Sequence, residues 1–143
     1  MVRDLLLLTP LARLGDAGAL LVRLGAGAVL IQRAQEQMLS AERMAAFETL
    51  LSQYGVFAPQ LTAPLCVLAQ LLCGVALVFG FLTRWAGVFT ALIFVAALWV
   101  GPQPAEVFGW WPHAVLVLLG VLFATAGAGR YSLDALLLRG AAR

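Results

Sequence analysis

Residues 61–82, LTAPLCVLAQLLCGVALVFGFL, decide the fold of this chain. The stretch holds no charged residue and only one strongly polar side chain, Gln70. A helix that crosses a bilayer needs about 20 mostly apolar residues, because the hydrocarbon core is about 30 Å thick. The stretch therefore predicts a transmembrane helix.

The rest of the chain has the same character. Of its 143 residues, 63% are hydrophobic and 11% are charged, and the mean hydropathy is +0.97. A soluble domain with a wet surface does not need so much apolar surface. Three further apolar stretches, at about 17–36, 84–100 and 107–126, predict spanning helices. We therefore predict an all-α integral membrane four-helix bundle that forms a single domain over residues 1–143.

Three segments outside these spans are predicted to be amphipathic helices at the membrane interface. They cover about residues 4–14, 38–54 and 132–139. In the second, apolar residues such as Met44 and Leu51 recur at helical spacing beside charged side chains. That pattern is typical of a helix with one apolar face.

The arginines predict the orientation. If the four helices alternate in direction, the two termini and the turn at Arg84 share one side, which holds six of the nine basic residues against two on the other. The positive-inside rule makes the first side cytoplasmic, so both termini are predicted to be cytoplasmic. Trp99, Trp110 and Trp111 are then expected at the outer interface, and Trp85 at the inner one.

One face of the second span carries small and polar residues, and we expect it to point into the bundle. Two interpretations of Gln70 are open. It makes one interhelical hydrogen bond while its small neighbours pack closely, or it lines a pocket for a lipid-soluble ligand such as a quinone. The residues predicted to pack helices closely are Gly25, Cys66, Cys73, Gly74 and Gly80.

Other polar residues lie in or near the first and fourth spans. Arg23 either snorkels toward the headgroups or is a buried cation that pairs with Asp134 or a backbone carbonyl. Gln32 and Arg33 crowd the outer end of the first helix, where they form either a solvated helix end or a polar vestibule that faces His113. His113 is read as an interfacial hydrogen-bonding group or as a proton relay. The candidate ligand-binding residues are therefore Arg23, Gln32, Arg33, Gln70 and His113.

The tail at residues 127–140, GAGRYSLDALLLRG, predicts a helix end followed by a helix start. Gly127 and Gly129 can adopt positive φ and end the fourth helix. Ser132 is a predicted N-cap, and Asp134 falls in the first turn of a short terminal helix.

Several classes of function find no support. The sequence has no phosphate-binding glycine loop and no nucleophile elbow, and its one histidine cannot form a histidine-rich metal site or a bis-histidine haem site. We predict no metal, no covalently bound cofactor and no nucleic-acid partner. The two halves of the sequence show no convincing internal repeat.

Four stretches of the chain resemble the DoxX family of small bacterial membrane proteins. They are RLGAGAVLIQRAQEQ (23–37), FETLLSQYGVFAP (47–59), QLLCGVALVFGFLTR (70–84) and GAGRYSLDALL (127–137). The residues that carry the resemblance most specifically are Gly74, Gly80, Thr83, Arg84, Gly127, Gly129, Arg130, Ser132 and Asp134.

The resemblance implies a four-helix fold in the bacterial cytoplasmic (inner) membrane. The family takes its name from a membrane subunit of a thiosulfate:quinone oxidoreductase, and relatives are implicated in membrane redox complexes. Members often carry histidine, glycine and lysine where this chain has Arg33, Ala34 and Gln37, and glutamate where it has Gln70. This chain therefore lacks the titratable groups at those positions.

Three functions follow as hypotheses. The chain is an accessory subunit of a redox or respiratory-type membrane complex, contributing to a quinone site between the first, second and fourth helices. Alternatively, it is a non-catalytic structural or assembly protein packed against a larger membrane complex. A transport or maturation factor would require an oligomer. The expected partners are membrane lipids and either other subunits or further copies of this chain.

Overall fold

The computed structural model describes residues 15–100 and 110–141, and it is helical through most of them. The predicted amphipathic segment at 4–14 and the start of the predicted fourth span at 107–109 lie outside these residues. The described helices are α1 (Gly15–Leu39), α2 (Ala41–Gln53), α3 (Pro59–Phe79), α4 (Thr83–Val100), α5 (Trp111–Ala126) and α6 (Leu133–Ala141).

The predicted all-α membrane bundle is confirmed. Helices α1, α3 and α4 are each long and apolar enough to cross a membrane. Helix α5 is apolar but has 16 residues, so it is about 24 Å long and shorter than the usual hydrocarbon core. Helix α2 begins after Ser40, whose hydroxyl accepts a hydrogen bond from the Arg43 N–H and caps the helix.

Helix α3 ends earlier than the apolar run predicts. It begins at Pro59 and stops at Phe79, because Gly80 takes the left-handed conformation with φ of 68°. The Gly80 N–H then donates to the Leu77 carbonyl, and the Phe81 N–H donates to the Ala76 carbonyl. These bonds close the helix in the way that a glycine C-cap usually does. Residues 80–82 therefore form the turn into α4.

The bundle consists of two closely packed helix pairs. Helix α1 packs along α3, and α4 packs along α5. The pairs meet mainly where α3 lies beside α4, whereas α1 and α5 barely touch. We call the end with the α3–α4 turn and residues 127–141 the tail end, and the opposite end, where α2 lies against α1 and α3, the α2 end.

A pair of glycines brings the backbones together within each helix pair. A Cβ atom built on Gly27 would lie 2.8 Å from the carbonyl oxygen of Gly74, and one built on Gly87 would lie 2.6 Å from that of Gly120. These distances leave no room for a side chain. In lipid, where apolar burial drives helix association weakly, such close contact is a main source of packing energy.

The two pairs repeat one packing pattern, although their sequences show no convincing similarity. The buried residues of α1 are Arg23, Ala26, Gly27, Leu30 and Ala34, and those of α4 are Thr83, Ala86, Gly87, Thr90 and Phe94. The spacing is the same in both helices, and both run from the tail end toward the α2 end. The repetition lies in the packing and not in the residue types, so it is compatible with the lack of a convincing repeat in the sequence.

We call Gly27, Gly74, Gly87 and Gly120 the crossing glycines, because the paired helices touch at them. Replacing a crossing glycine should destabilise the bundle. Gly27→Ala and Gly87→Ala each force a methyl group against a backbone carbonyl, and overpacking of this kind costs about 1–3 kcal/mol. Gly25→Ala is the matched control, because a Cβ there meets nothing within 4 Å. Thermal unfolding in detergent should show lower midpoints for the first two variants only. A Gly27→Ala protein as stable as Gly25→Ala would contradict the close contact between Gly27 and Gly74.

Candidate functional site

Arg23 is the buried charge of the bundle's tail end. Its side chain is 2% exposed, so it does not snorkel to the headgroups. Nη1 donates to the Ala128 carbonyl at 2.6 Å, and Nη2 donates to the Tyr131 carbonyl at 2.7 Å. Of the predicted partners, the backbone carbonyl is the one that Arg23 uses, while the Asp134 carboxylate acts on it only through its charge.

Gly80 makes room for the Arg23 guanidinium. A Cβ built on Gly80 would lie 2.6 Å from Arg23 Nη1 and 2.7 Å from the Ser132 Cβ. The Gly80 carbonyl accepts a hydrogen bond from the Asp134 N–H at 3.0 Å. Gly80 thus lies close to the Arg23 guanidinium and to Ser132, in the turn after α3 and not within the helix.

Asp134 connects the tail to the start of α4. One carboxylate oxygen accepts from the Leu82 N–H at 2.8 Å, and the other accepts from the Thr83 N–H at 3.0 Å. A carboxylate at a helix N-terminus satisfies free N–H groups and interacts favourably with the helix dipole. Asp134 therefore caps α4 from a distant part of the chain, which the sequence reading did not anticipate.

Ser132 and the tail glycines have the local structure that their residue types predict. The Ser132 hydroxyl accepts from the Ala135 N–H at 3.1 Å and donates to the Gly129 carbonyl at 2.9 Å, so it is the N-cap of α6. Gly127 and Gly129 have φ of 75° and 72°. The Arg84 side chain packs over Gly127 at the end of α5.

Five of the residues described above join the tail to the helices at the tail end. We call them the tail clasp: Arg23, Gly80, Thr83, Ser132 and Asp134.

Gln70 lies at mid-depth and faces α1. It is buried, and its Nε2 donates to the Leu30 carbonyl at 3.4 Å. Cys73 and Gly74 are buried on the same face, whereas Cys66 is half-buried, and both cysteines are free. This arrangement supports the packing interpretation of the face, with Gln70 making one long interhelical hydrogen bond.

Gly25, which was predicted to pack closely, lies at no helix contact among the described residues. It is exposed, and nothing lies within 4 Å of a Cβ built on it. The packing glycine of α1 is Gly27, which shares a face with Arg23 and Leu30 because it follows Arg23 by about one turn. That spacing was the sequence signal for Gly27, and the same spacing relates Gly87 to Thr83.

The predicted polar residues at the α2 end fall into two groups. Gln32 Nε2 donates to Glu36 Oε1 at 3.3 Å, and Glu36 forms an exposed ion pair with Arg43 at 2.8 Å. This group links α1 to α2 on the surface. Separately, Arg33 lies within electrostatic range of His113.

The five candidate ligand-binding residues do not converge on one cavity. Arg23 lies at the tail end, Gln70 lies in the middle of the bundle, and the other three lie at the α2 end. Within the described residues, no group of three or more His, Cys, Asp or Glu side chains could hold a metal ion. Two shallow grooves are present instead, and neither is lined by any of the five.

The first groove, of about 310 Å³, runs between α1 and α5, where these helices barely touch. It is almost wholly apolar, and its lining residues are Gly25, Ala26, Val29, Trp111, Pro112, Val115, Leu116 and Leu119. The second groove, of about 630 Å³, lies at the tail end and has both polar and apolar walls.

Breaking the tail clasp should free the tail. Arg23→Met leaves two carbonyls without a donor, and Asp134→Ala uncovers the start of α4. Because a hydrogen bond to a charged group contributes about 1.5–3 kcal/mol, we expect cleavage by trypsin after Arg130 to become at least about tenfold faster. Arg43→Gln, which removes an exposed arginine at the α2 end, is the control. Equal cleavage rates in all three variants would show that the clasp does not hold the tail.

The comparisons with known proteins give one positive result. The sequence model of the DoxX family matches residues 18–103, more than half of the chain. No curated protein and no solved structure matches it. The matched region includes the crossing glycines Gly27, Gly74 and Gly87, and three residues of the tail clasp. The chain belongs to the DoxX family.

Proposed function

We propose that this chain is a non-catalytic accessory subunit of a redox or respiratory-type complex in the bacterial cytoplasmic membrane. One observation carries the proposal: the buried polar side chains of Arg23 and Gln70 donate hydrogen bonds to the chain's own backbone. An ionisable residue inside a membrane protein is by default a functional candidate, because it is costly to bury. Here the cost is offset by contacts that hold the fold, so the chain acts through its surface.

The arginines and tryptophans support an orientation with the tail end in the cytoplasm. Arg84 and Arg130 are exposed at the tail end, as the positive-inside rule requires of the cytoplasmic side. Trp99, Trp110 and Trp111 are exposed at or near the α2 end, where an interfacial aromatic belt would lie. Both termini are then cytoplasmic.

The α2 end offers a surface for other subunits. Phe57, in the connection between α2 and α3, is 91% exposed, and Leu39 at the end of α1 is 87% exposed. Large apolar side chains that protrude this far are typical anchors of protein interfaces. We propose that they contact neighbouring subunits of the complex.

Purification from the native membrane tests this proposal. The tagged protein in mild detergent should recover redox-enzyme subunits in stoichiometric amounts, as measured by mass spectrometry. Phe57→Ser should reduce that recovery, because it removes an anchor without touching the helix pairs. Gln70→Leu should leave it unchanged, since interhelical hydrogen bonds in membranes average only about 0.6 kcal/mol.

Three results would refine or reject the proposal. Recovery of this chain alone would reject it. Recovery of subunits whose turnover does not depend on this chain would favour the structural or assembly role. Loss of turnover in a well-folded Gln70→Leu variant would show that Gln70 takes part in the reaction.

A quinone-binding role is the second candidate, and the groove between α1 and α5 favours it. The groove is apolar, and its volume of about 310 Å³ is at the lower end of the range for small-molecule sites. Arg33 follows Val29 by one helical turn, and His113 follows Pro112, so two hydrogen-bonding side chains lie next to its lining residues. We propose this groove as the site, in place of the Gln70 pocket.

Filling the groove should weaken quinone binding. Val29→Phe puts extra volume among the lining residues, whereas Leu65→Phe adds the same ring to the exposed face of α3 and is the control. With a short-tailed ubiquinone analogue as the probe, Val29→Phe should raise the Kd about tenfold, a loss of about 1.4 kcal/mol. An unchanged Kd in Val29→Phe, or no binding to the parent protein, would rule this site out.

A further inference from the structure

The groove at the tail end combines one exposed cation with an apolar floor. It lies where the end of α3, the segment after α5 and the start of α6 meet, and its volume is about 630 Å³. Its lining residues are Phe79, Arg130, Tyr131, Ser132, Leu133 and Leu136. Polar and apolar groups both line it, in contrast to the almost wholly apolar groove between α1 and α5.

Arg130 is the charged group of this groove and is available to a ligand. Its side chain is 75% exposed, and its guanidinium lies 3.8 Å from the Asp16 carboxylate, at the outer limit for an ion pair. An exposed pair at that distance contributes little. The planar guanidinium suits phosphate oxygens, which it can bind with two parallel hydrogen bonds.

The other polar residues of the groove have different roles. The Ser132 hydroxyl is already used, since it caps α6 and donates to Gly129. The Tyr131 ring is exposed, while its carbonyl binds Arg23. A ligand phosphate would therefore meet the Arg130 guanidinium and the Tyr131 side chain.

The apolar floor lies where a bilayer lipid can reach it. Phe79 is the last residue of α3, and Leu133 and Leu136 lie one turn apart on α6, all three being exposed. Helix α6 is the most amphipathic of the described helices, as expected of a helix that lies along the membrane interface. A helix at the interface would place this floor at the boundary between headgroups and acyl chains.

The groove is held in shape by the tail clasp. The Tyr131 carbonyl is fixed by Arg23, and Asp134 is fixed by the N–H groups of Leu82 and Thr83. A wall that is ordered before the ligand arrives reduces the entropy lost on binding.

We propose that this groove binds one anionic phospholipid, with the phosphate at Arg130 and an acyl chain along Phe79, Leu133 and Leu136. Charge complementarity selects an anionic lipid, because an exposed guanidinium favours a net negative headgroup over a zwitterionic one. Basic pockets beside transmembrane helices bind anionic headgroups in this way. The bound lipid joins α3 to α6 at the tail end.

The test compares lipids and variants in the full-length protein. Detergent-purified protein is titrated with phosphatidylglycerol or with phosphatidylcholine of the same acyl chains, and bound lipid is counted by native mass spectrometry. Phosphatidylglycerol should bind more tightly. Arg130→Gln should weaken it about fivefold, as expected for one arginine near a charged surface. Asp16→Asn should strengthen it, because a carboxylate next to the phosphate is removed.

Arg43→Gln is the matched control, since it removes an exposed arginine at the opposite end of the bundle. Trypsin cleavage after Arg84, a site that every variant keeps, should match the parent protein in each of them, showing that the fold is kept. Equal binding of the two lipids, or an equal loss in Arg130→Gln and Arg43→Gln, would overturn the proposal. Glycerol phosphate, which has no acyl chain, should bind far more weakly, and equal binding would overturn the role of the apolar floor.

Discussion

A positive charge buried among transmembrane helices must find acceptors inside the protein, and the structure of this chain depends on how Arg23 does so. Its guanidinium donates to the carbonyls of Ala128 and Tyr131. The segment after α5 must therefore fold back over the start of the bundle. Once it lies there, Gly80 is the residue that leaves space for the guanidinium, and Asp134 reaches the start of α4. One desolvated cation thus organises the tail end.

The sequence predicts the helices of this fold better than it predicts the contacts between them. Apolar length identifies the membrane helices, and local backbone chemistry identifies Ser132 as a cap and Gly127 as a helix end. The acceptors of Arg23 lie 105 and 108 residues away, which no local pattern reveals. Gly27 was missed as a packing residue because composition alone does not say which face of α1 meets α3. The repeated packing escaped notice because Leu30 and Thr90 fill equivalent places with different chemistry.

In this member of the DoxX family, the hydrogen bonds of the buried polar side chains serve the fold. The buried side chains of Arg23 and Gln70 donate hydrogen bonds to the chain's own backbone. What is left for partners is the surface. It includes protruding apolar side chains at the α2 end, a groove open between two helices that barely touch, and a partly basic groove beside the tail. The first two surfaces are apolar, whereas the third also carries the exposed charge of Arg130.

The contact between Arg23 and the tail also bears on how the protein is made. Of the described helices, α1 leaves the ribosome first, and it carries a charge whose acceptors are the carbonyls of Ala128 and Tyr131, near the C-terminus. Until Ala128 has been synthesised, Arg23 has neither of these carbonyls, and it has both only after Tyr131 has followed. A chain cut short before residue 128 therefore lacks both carbonyls that Arg23 binds in the complete bundle.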